Sequence, residues 1–314
     1  MSDVSNQHLS DPYAVPEGHK SGFVAVIGRP NVGKSTLMNR FVGEKVAIVS
    51  SKPQTTRSRI LGILTRETFQ VIFVDTPGIH RPFHQLGKIM VSTATDVIPD
   101  ADVVLFMVDA SVMPKEEDRM IARILERQTD APIILVLNKM DLLPPEKVEA
   151  HTEAYWALAP FHDEWMMTIA TEGTNLGALL ERVVGLLPEG PRYYPREYIT
   201  DQTERQIVAE LIREQILRHT YHEVPHSVAV VVEEFKERKR GVTYIAANVF
   251  VERQSQKGII IGRGGKMIRR IGSNARAAVE RLIGGDVYLD LWVKVREGWR
   301  EDERELRRLG FDRS

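Results

Sequence analysis

The chain contains the stretch Gly28-Arg29-Pro30-Asn31-Val32-Gly33-Lys34-Ser35, which matches the pattern G-x-x-x-x-G-K-[ST]. An apolar run, residues 22–28, leads into it, and residues 34–42 behind it have helical spacing. In that setting the glycines let the backbone wrap a phosphate, and the helix N-terminus presents positive partial charge to it. The stretch predicts a phosphate-binding loop in which Lys34 reaches the β- and γ-phosphates and Ser35 offers its hydroxyl to Mg²⁺.

The sequence around this loop predicts an α/β fold. Nearly continuous apolar runs alternate with helical stretches, which is typical of a mostly parallel sheet covered on both faces. The predicted strands of this six-stranded sheet are residues 22–28, 59–65, 69–75, 101–109, 131–139 and 165–170. We assign the sheet to a P-loop domain, residues 21–187, behind a polar tail, residues 1–20, that we expect to be flexible.

Two further motifs follow strands of this sheet. Asp75-Thr76-Pro77-Gly78 ends the third strand, where Asp75 can hold Mg²⁺ through water and the Gly78 N–H can contact the γ-phosphate. Asn138-Lys139-Met140-Asp141 ends the fifth strand, and the Asp141 carboxylate can accept both the N1–H and the N2 amino group of guanine. Adenine lacks that donor pair, so the sequence predicts a guanine nucleotide. The three motifs in this order resemble the GTPase superfamily.

The superfamily carries a further motif after the sixth strand, where this chain has residues 168–171. The resemblance implies that the Ala170 N–H contacts guanine O6. Ile169 stands where the superfamily usually has serine, so we expect the side-chain support of this loop to differ. Between the first helix and the second strand, Thr55 or Thr56 is expected to reach Mg²⁺ and the γ-phosphate, and the sequence does not choose between them.

Hydrolysis of the nucleotide needs positioning and charge stabilisation more than covalent chemistry. Many relatives place a glutamine directly after D-x-x-G to orient the attacking water, but here that residue is Ile79, which has no hydrogen-bonding group. We therefore expect backbone groups of the two switch loops, the segments around Thr55–Thr56 and Asp75–Ile79, to position water, with slow intrinsic turnover. The resemblance also implies that Asn31 helps to hold K⁺ beside the phosphates.

A second domain follows a proline-containing linker, residues 188–201. Residues 202–311 predict a smaller α+β domain, which opens with a long helix. Its segment Ile259-Ile260-Ile261-Gly262-Arg263-Gly264-Gly265-Lys266-Met267-Ile268-Arg269-Arg270-Ile271 resembles the K-homology (KH) signature I-G-x-x-G-x-x-I-x-x-I. We expect an apolar strand before this loop and a helix after it. With two predicted strands before the loop and one after, the order fits a type II KH domain that binds single-stranded RNA.

Composition and charge agree with this organisation. The 314 residues include no cysteine, which excludes disulfides, thiolate zinc sites and a cysteine nucleophile. The net charge is −1, but residues 253–281 carry eight basic side chains and one acidic one, Glu280. Basic side chains so concentrated favour a polyanionic partner.

Taken together, the motifs of both domains resemble the Era-like GTPase family of the TRAFAC class, which carries a C-terminal type II KH domain. The resemblance covers residues 20–311 and includes the segments HTYHEVPHSVAV (219–230), GIIIGRGGKMIRRIG (258–272), LWVKVREGW (291–299) and DERELRRLGF (302–311). It implies binding of GTP and GDP, binding near the 3′ end of 16S ribosomal RNA, and a role in biogenesis of the small (30S) ribosomal subunit. It also implies a cytoplasmic protein, expected as a monomer, with peripheral association at the inner face of the membrane.

The following residues are the candidates for function. For the nucleotide they are Gly28, Arg29, Pro30, Asn31, Val32, Gly33, Lys34, Ser35, Thr36, Asp75, Thr76, Pro77, Gly78, Ile79, Asn138, Lys139, Met140, Asp141 and Ala170. For catalysis they are Lys34, Thr55, Thr56 and Gly78; for Mg²⁺ Ser35, Thr55, Thr56 and Asp75; and for K⁺ Asn31. For RNA they are Ile261, Gly262, Arg263, Gly264, Gly265, Lys266, Arg269 and Arg270.

Particular residues and motifs argue against three alternative functions. A constitutive RNA-binding protein with a purely structural nucleotide domain is opposed by the complete set Lys34, Ser35 and Asp75. A metabolic kinase or ATPase is opposed by the N-K-M-D motif. A ribosome-assembly GTPase with two GTPase domains is opposed by the single phosphate-binding loop.

Overall fold

A computed structural model of the chain describes residues 13–50, 52, 54–238 and 241–311. Most of the expected flexible tail (residues 1–12), Pro53 of the expected switch loop and residues 239–240 of the turn between the first two KH strands lie outside this range. Ordered structure begins before the expected boundary at residue 21. His19 is buried, and its ring Nδ1 lies 2.9 Å from the Gly190 carbonyl oxygen.

The first domain is built on the predicted six-stranded sheet. Its strands are β1 (Lys20–Ile27), β2 (Ile60–Thr65), β3 (Phe69–Asp75), β4 (Val103–Asp109), β5 (Ile133–Asn138) and β6 (Glu164–Thr168). Its helices are α1 (Lys34–Val42), α2 (Gln85–Thr95), α3 (Glu116–Gln128), α4 (Val148–Leu158) and α5 (Leu176–Leu186). The strand order is β2-β3-β1-β4-β5-β6, and all pairs are parallel except β2 with β3. The predicted mostly parallel sheet is confirmed.

Burial on both faces explains why these strands are apolar throughout. All seven residues of β4 are buried. On one face the core includes Leu37 of α1 and Leu179 of α5, and on the other it includes Ile121 of α3 and Tyr155 of α4. Each such side chain contributes roughly 1.5–3 kcal/mol by leaving water, which fixes the register of the strands that carry the functional loops.

The linker, residues 188–201, lies along the first domain. The Ser21 N–H donates to the Pro188 carbonyl, and the Gln70 carboxamide donates to the Tyr194 carbonyl at 2.8 Å. Further along, the Ile63 N–H of β2 donates to the Ile199 carbonyl at 2.9 Å. The linker is therefore hydrogen-bonded in turn to β1, to β3 and to the edge strand β2.

The second domain has a three-stranded sheet. Its helices are α6 (Glu204–His219), α7 (Val224–Ser227), α8 (Gln254–Ile261), α9 (Lys266–Ile283) and α10 (Glu303–Arg308), and its strands are β7 (Ala229–Glu237), β8 (Thr243–Val251) and β9 (Val287–Val295). The order is β7-β8-β9, with β7 antiparallel and β9 parallel to β8. Helices α6, α8 and α9 contribute to one core with this sheet.

Two details of this domain differ from the sequence prediction. The glycine-rich loop follows helix α8 and not an apolar strand. A short apolar run does not distinguish strand from helix, and here Ile260 is buried while Ile259 is 45% exposed, so only one side of the run meets the core. The first strand of this domain is predicted from the apolar run at residues 226–235, but residues 226–227 belong to the short helix α7.

The two domains share an apolar contact. Leu86 and Met90 of α2 pack in one cluster with Phe250 of β8, Trp299 and Leu306 of α10. Trp299 has no exposed surface, and its Nε1–H donates to the Ser227 carbonyl at 3.1 Å. The cluster joins the helix behind the D-T-P-G loop to the second domain.

We expect Trp299→Phe to destabilise the protein by about 2 kcal/mol, because it leaves the buried Ser227 carbonyl without a donor and removes buried volume. The midpoint of thermal unfolding, followed by circular dichroism, should fall by roughly 4–8 °C. Trp292→Phe is the matched control, since Trp292 is 60% exposed and its replacement should cost less than about 0.5 kcal/mol. Equal shifts for both variants would contradict the assigned role of Trp299.

Candidate functional site

The phosphate-binding loop lies between the end of β1 and the start of α1. Gly33 adopts φ 113°, a left-handed conformation that favours glycine, and a Cβ there would overlap the Asn138 side chain. The Asn138 Nδ2 donates to the Val32 carbonyl at 2.8 Å. The loop and the N-K-M-D motif are thus in direct contact, as one nucleotide site requires.

A cavity of about 470 Å³ opens over this loop. It is lined by Pro30, Asn31, Gly33, Lys34, Ser35, Thr36, Ile48, Val49, Ser50, Gln54, Thr55, Thr56, Gly78, Asn138, Lys139, Asp141, Leu142, Ala170 and Thr171. Residues of all the nucleotide motifs predicted from the sequence therefore line one space.

Lys34 is buried at the floor of this cavity. Its Nζ donates to the carbonyls of Gly28 and Arg29, each at 3.0 Å. Burial lowers the pKa of Lys34 to about 8, while the nearby charge of Asp75 opposes the fall. A buried ammonium with only carbonyl partners is suited to an anionic ligand such as a phosphate.

Three oxygen-bearing side chains meet beside Lys34. The Ser35 hydroxyl donates to Asp75 Oδ2 at 2.6 Å and lies 2.9 Å from the Thr56 hydroxyl. Asp75 has no exposed surface, and its Oδ1 lacks a hydrogen-bond partner among the described residues. Burial raises the pKa of Asp75, and the Lys34 charge opposes the rise. Hydroxyl and carboxylate oxygens are the donors that Mg²⁺ prefers, so this set fits that ion.

The structure separates the two threonines between which the sequence did not choose. The Thr56 hydroxyl reaches Ser35 and Asp75, whereas the Thr55 hydroxyl donates to the Lys52 carbonyl at 2.6 Å. Thr55 is therefore not brought to the candidate Mg²⁺ oxygens.

The D-T-P-G loop packs tightly on the phosphate-binding loop. A Cβ at Gly78 would overlap the Pro30 backbone, and the Ile79 N–H donates to the Gly28 carbonyl at 3.2 Å. The Ile79 side chain is buried in the apolar core, so it does not reach the cavity.

Gln54 and His80, which sequence reasoning did not single out, meet near this loop. The Gln54 Nε2 lies 2.8 Å from the His80 Nε2, and Gln54 lines the cavity at a left-handed φ of 60°. No local motif pointed to this pair, because its members are 26 positions apart.

At the base end of the cavity, Asn138 organises the neighbouring loops. Its Oδ1 accepts from the Thr168 hydroxyl at 3.1 Å and from the Ala170 N–H at 2.9 Å. The Ala170 N–H, expected to contact guanine O6, therefore has a protein partner in this structure. Thr168 provides side-chain support that Ile169 does not. Asp141 is exposed at the cavity rim, where its carboxylate is accessible to a base.

Several predicted nucleotide residues have side chains engaged elsewhere. Arg29 lies 3.5 Å from Asp109 and 3.3 Å from Asp118, and the Thr76 hydroxyl donates to the Val26 carbonyl. The predicted residues that do not line the cavity are Gly28, Arg29, Val32, Asp75, Thr76, Pro77, Ile79 and Met140. Of these, Asp75 contacts two of the lining residues, because its Oδ2 accepts from the Ser35 hydroxyl at 2.6 Å and from the Thr56 hydroxyl at 3.4 Å.

The glycine-rich loop of the second domain forms a separate site between α8 and α9. Gly262, Gly264 and Gly265 all have positive φ, so the backbone turns sharply without side chains. The Arg269 guanidinium donates to the carbonyls of Gly264 and Gly265. Ile261, the last residue of α8, and Gly262 are partly buried.

Basic side chains and a groove lie beside that loop. Arg263, Lys266, Arg269 and Arg270 are exposed. The groove, of about 410 Å³, is lined by Ile268, Arg269, Gly272, Ser273, Arg276, Leu289 and Leu291. Bare backbone, positive charge and an apolar groove are the features with which KH domains contact single-stranded RNA.

The fold and the two sites define a two-domain GTPase with a C-terminal KH domain. A family model described as a 50S ribosome-binding GTPase matches residues 23–139, and a KH domain model matches residues 223–300. The GTPase Era of Geotalea uraniireducens is 50% identical over 93% of this chain and 98% of its own length. That of Rippkaea orientalis is 49% identical over 99% of both.

A solved structure agrees with these relatives. The chain matches Era in complex with MgGDPNP and nucleotides 1506–1542 of 16S ribosomal RNA, with a TM-score of 0.90 and 38% identity. The match covers 93% of this chain and 99% of the other. The chain belongs to the GTPase Era family.

We expect Asp141→Asn to lower the affinity for GDP by about 100-fold, because guanine then loses a charged acceptor for two N–H groups. Xanthosine diphosphate should bind this variant better than it binds the wild type, since xanthine carries an oxygen in place of the amino group. Calorimetric titration with both nucleotides checks this. Unchanged preference for guanine would show that Asp141 does not contact the base.

Proposed function

We propose that the chain is a Mg²⁺-dependent GTPase switch whose KH domain binds 16S ribosomal RNA near its 3′ end during biogenesis of the 30S subunit. The observation that carries this is the match of both domains together to a relative holding MgGDPNP and that RNA. The glycine-rich loop with its exposed basic residues supplies the RNA-binding chemistry in this chain.

Crosslinking of the intact protein to cellular RNA, followed by sequencing, tests this function. We expect the crosslinked fragments to concentrate at the 3′ end of 16S ribosomal RNA. Fragments spread evenly over cellular RNA would contradict the assignment.

In the nucleotide site, Ser35, Thr56 and Asp75 would hold Mg²⁺. When bound, this ion supplies positive charge to the phosphate oxygens. Lys34 would add a second positive charge at the β- and γ-phosphates, and we expect the Gly78 N–H, at the cavity, to donate to the γ-phosphate. These groups stabilise charge in phosphoryl transfer to water without forming a covalent intermediate.

The attacking water is oriented by the switch loops. The Ile79 side chain is buried and has no hydrogen-bonding group, so we infer that backbone groups of these loops, including those of Gly78 at the cavity, orient the water. Gln54 lines the cavity and is held by His80, which places a carboxamide in the same region. Slow intrinsic turnover stays a prediction.

A role of K⁺ rests on Asn31. This residue lines the cavity next to the phosphate-binding loop backbone, at a left-handed φ of 64°. We infer that its side-chain oxygen helps to hold K⁺ beside the phosphates. A turnover rate unchanged when K⁺ is replaced by Na⁺ would contradict this inference.

The cellular setting is proposed on family resemblance alone. A cytoplasmic location, a monomeric state and peripheral contact with the inner face of the membrane stay predictions. Among the described residues, no helix has the length and apolar character needed to cross a membrane.

The alternative is constitutive RNA binding with a purely structural nucleotide domain. It is opposed by the convergence of Lys34, Ser35, Thr56 and Asp75 at one cavity. The two functions are separated by RNA affinity measured with GDPNP and with GDP, since a switch requires the two values to differ.

We expect Thr56→Val to weaken Mg²⁺-dependent binding of GDPNP by at least about tenfold, because a ligand oxygen is lost. GDP, which lacks the γ-phosphate, should bind nearly as before. Thr55→Val removes the neighbouring hydroxyl and is the matched control, with an expected change below twofold. Fluorescence titration at several Mg²⁺ concentrations measures both variants. A larger effect from Thr55→Val would reverse the assignment.

For the RNA site we expect Gly264→Asp to lower affinity for a 16S 3′-end oligonucleotide by about tenfold or more, since a carboxylate would face phosphate. Gly264 suits this test because its φ is 60° and a Cβ meets nothing within 4 Å, whereas a Cβ at Gly262 would lie 2.6 Å from the Met267 Cβ. Gly298→Asp is the control, with φ 63° and equally open space.

GTP turnover without RNA should be the same for both glycine variants. RNA affinity of Gly264→Asp equal to that of Gly298→Asp would refute the assignment of this loop as the RNA site.

A further inference from the structure

The segment that carries Thr56 is bound to the KH domain. We call residues 45–59 the switch segment; the structure describes it except for residues 51 and 53. Ile48 of this segment is 3% exposed and packs in the KH core with Leu211 and Ile212 of α6. The switch segment is therefore part of the KH core as well as part of the nucleotide cavity.

Arg57 of the switch segment makes three hydrogen bonds to the KH domain. It is 4% exposed, and its guanidinium donates to the Val228 carbonyl at 2.6 Å and to the Pro225 and His226 carbonyls, each at 3.1 Å. Among the described residues no carboxylate forms an ion pair with it. Burial lowers the pKa of Arg57 to about 9, and nearby Arg213 adds to the effect.

Arg213 of α6 holds the other side of Thr56. It is 2% exposed, and its guanidinium donates to the Thr55 carbonyl and to Glu210. Beside it on α6, the buried Glu214 pairs with Lys45 at 2.6 Å and accepts from the Val49 N–H at 3.3 Å. The start of the switch segment is thus bound to the same helix.

These contacts act on Thr56 from both sides. Thr55 and Arg57 are its chain neighbours, about 3.8 Å away at Cα, and both are bonded to the KH domain. A shift of the KH domain would therefore displace the backbone of Thr56 relative to Ser35 and Asp75. Conversely, a ligand that holds the Thr56 hydroxyl in place favours the docked position of the KH domain.

We propose that Arg57 and Arg213 are positioning residues through which the docked KH domain holds Thr56 at the Mg²⁺ and γ-phosphate end of the nucleotide site. This rests on the proposed role of Thr56 in Mg²⁺ binding. Coupling between two sites is reciprocal, so the KH domain raises the affinity for Mg²⁺ with a nucleoside triphosphate, and that ligand stabilises the docked KH domain. GDP does not engage Thr56 and gains nothing from the docked domain.

The test uses the full chain with Arg57→Gln and Arg213→Gln. Each has a matched control: Arg59→Gln, at an exposed arginine of the switch segment, and Arg205→Gln, at an exposed arginine on α6. Affinities for GDPNP and GDP are measured by titration at several Mg²⁺ concentrations. We expect the two positioning variants to lower GDPNP affinity about tenfold and to raise the Mg²⁺ concentration for half-saturation, with GDP affinity changed less than twofold.

Arg57→Lys and Arg213→Lys keep the positive charge and one donor, so they serve if the glutamine variants do not fold. They should give a smaller loss of GDPNP affinity in the same direction, because one ammonium does not bridge several carbonyls as a guanidinium does. Wild-type ratios of GDPNP to GDP affinity in folded variants would overturn the proposal.

Thr56→Val distinguishes this proposal from the proposed function. If Thr56→Val leaves Mg²⁺-dependent GDPNP binding unchanged, the assignment of Thr56 is wrong and the positioning role fails with it. If Thr56→Val weakens binding and the arginine variants do not, only the positioning role is wrong.

Discussion

The nucleotide site depends on the register of a sheet that is buried on both faces. In that sheet β1 ends at the phosphate-binding loop, β3 ends at Asp75 and β5 ends at Asn138. Val26 pairs with Asp75, and Asp109 of β4 pairs with Asn138. The C-terminal ends of these strands therefore bring all three motifs together. A slip of one residue would turn each apolar side chain to the opposite face, and both faces are filled. Packing of the core thereby determines where the polar groups of the site lie.

This arrangement places two charged side chains where they are largely shielded from water. Lys34 and Asp75 are both buried, and burial lowers the pKa of the first and raises that of the second. Each charge partly compensates the other, but the Asp75 Oδ1 lacks a hydrogen-bond partner among the described residues, and the Lys34 Nζ donates to two neutral carbonyls. A phosphate beside the lysine and a cation beside the carboxylate would stabilise both charges. Ligand binding would therefore offset part of the free-energy cost of burying the charges of Lys34 and Asp75 in the folded protein.

The sequence predicted the features that arise locally. Apolar runs and loop motifs led to the sheet, to Lys34 and Ser35, and to the glycine-rich loop. The helix before that loop was missed, because Ile259-Ile260-Ile261 is an apolar run without a visible period. Thr55 and Thr56 are adjacent threonines, and contacts with Lys52, Ser35 and Asp75 distinguish them. Long-range contacts of this kind leave no local pattern in a single sequence.

Strand β2 is continuous with the switch segment and is hydrogen-bonded to the linker. The switch segment continues directly into β2 at Ile60, and β2 is an edge strand that pairs only with β3 among the described strands. Its free edge accepts the linker, where the Ile63 N–H donates to the Ile199 carbonyl and the Leu61 N–H donates to the Asp201 carboxylate. The linker that leads into the KH domain and the switch segment that contacts that domain are therefore both attached to β2. Strand β2 therefore joins the switch segment, which contacts the KH domain directly through Arg57 and Arg213, to the linker that leads into the same domain.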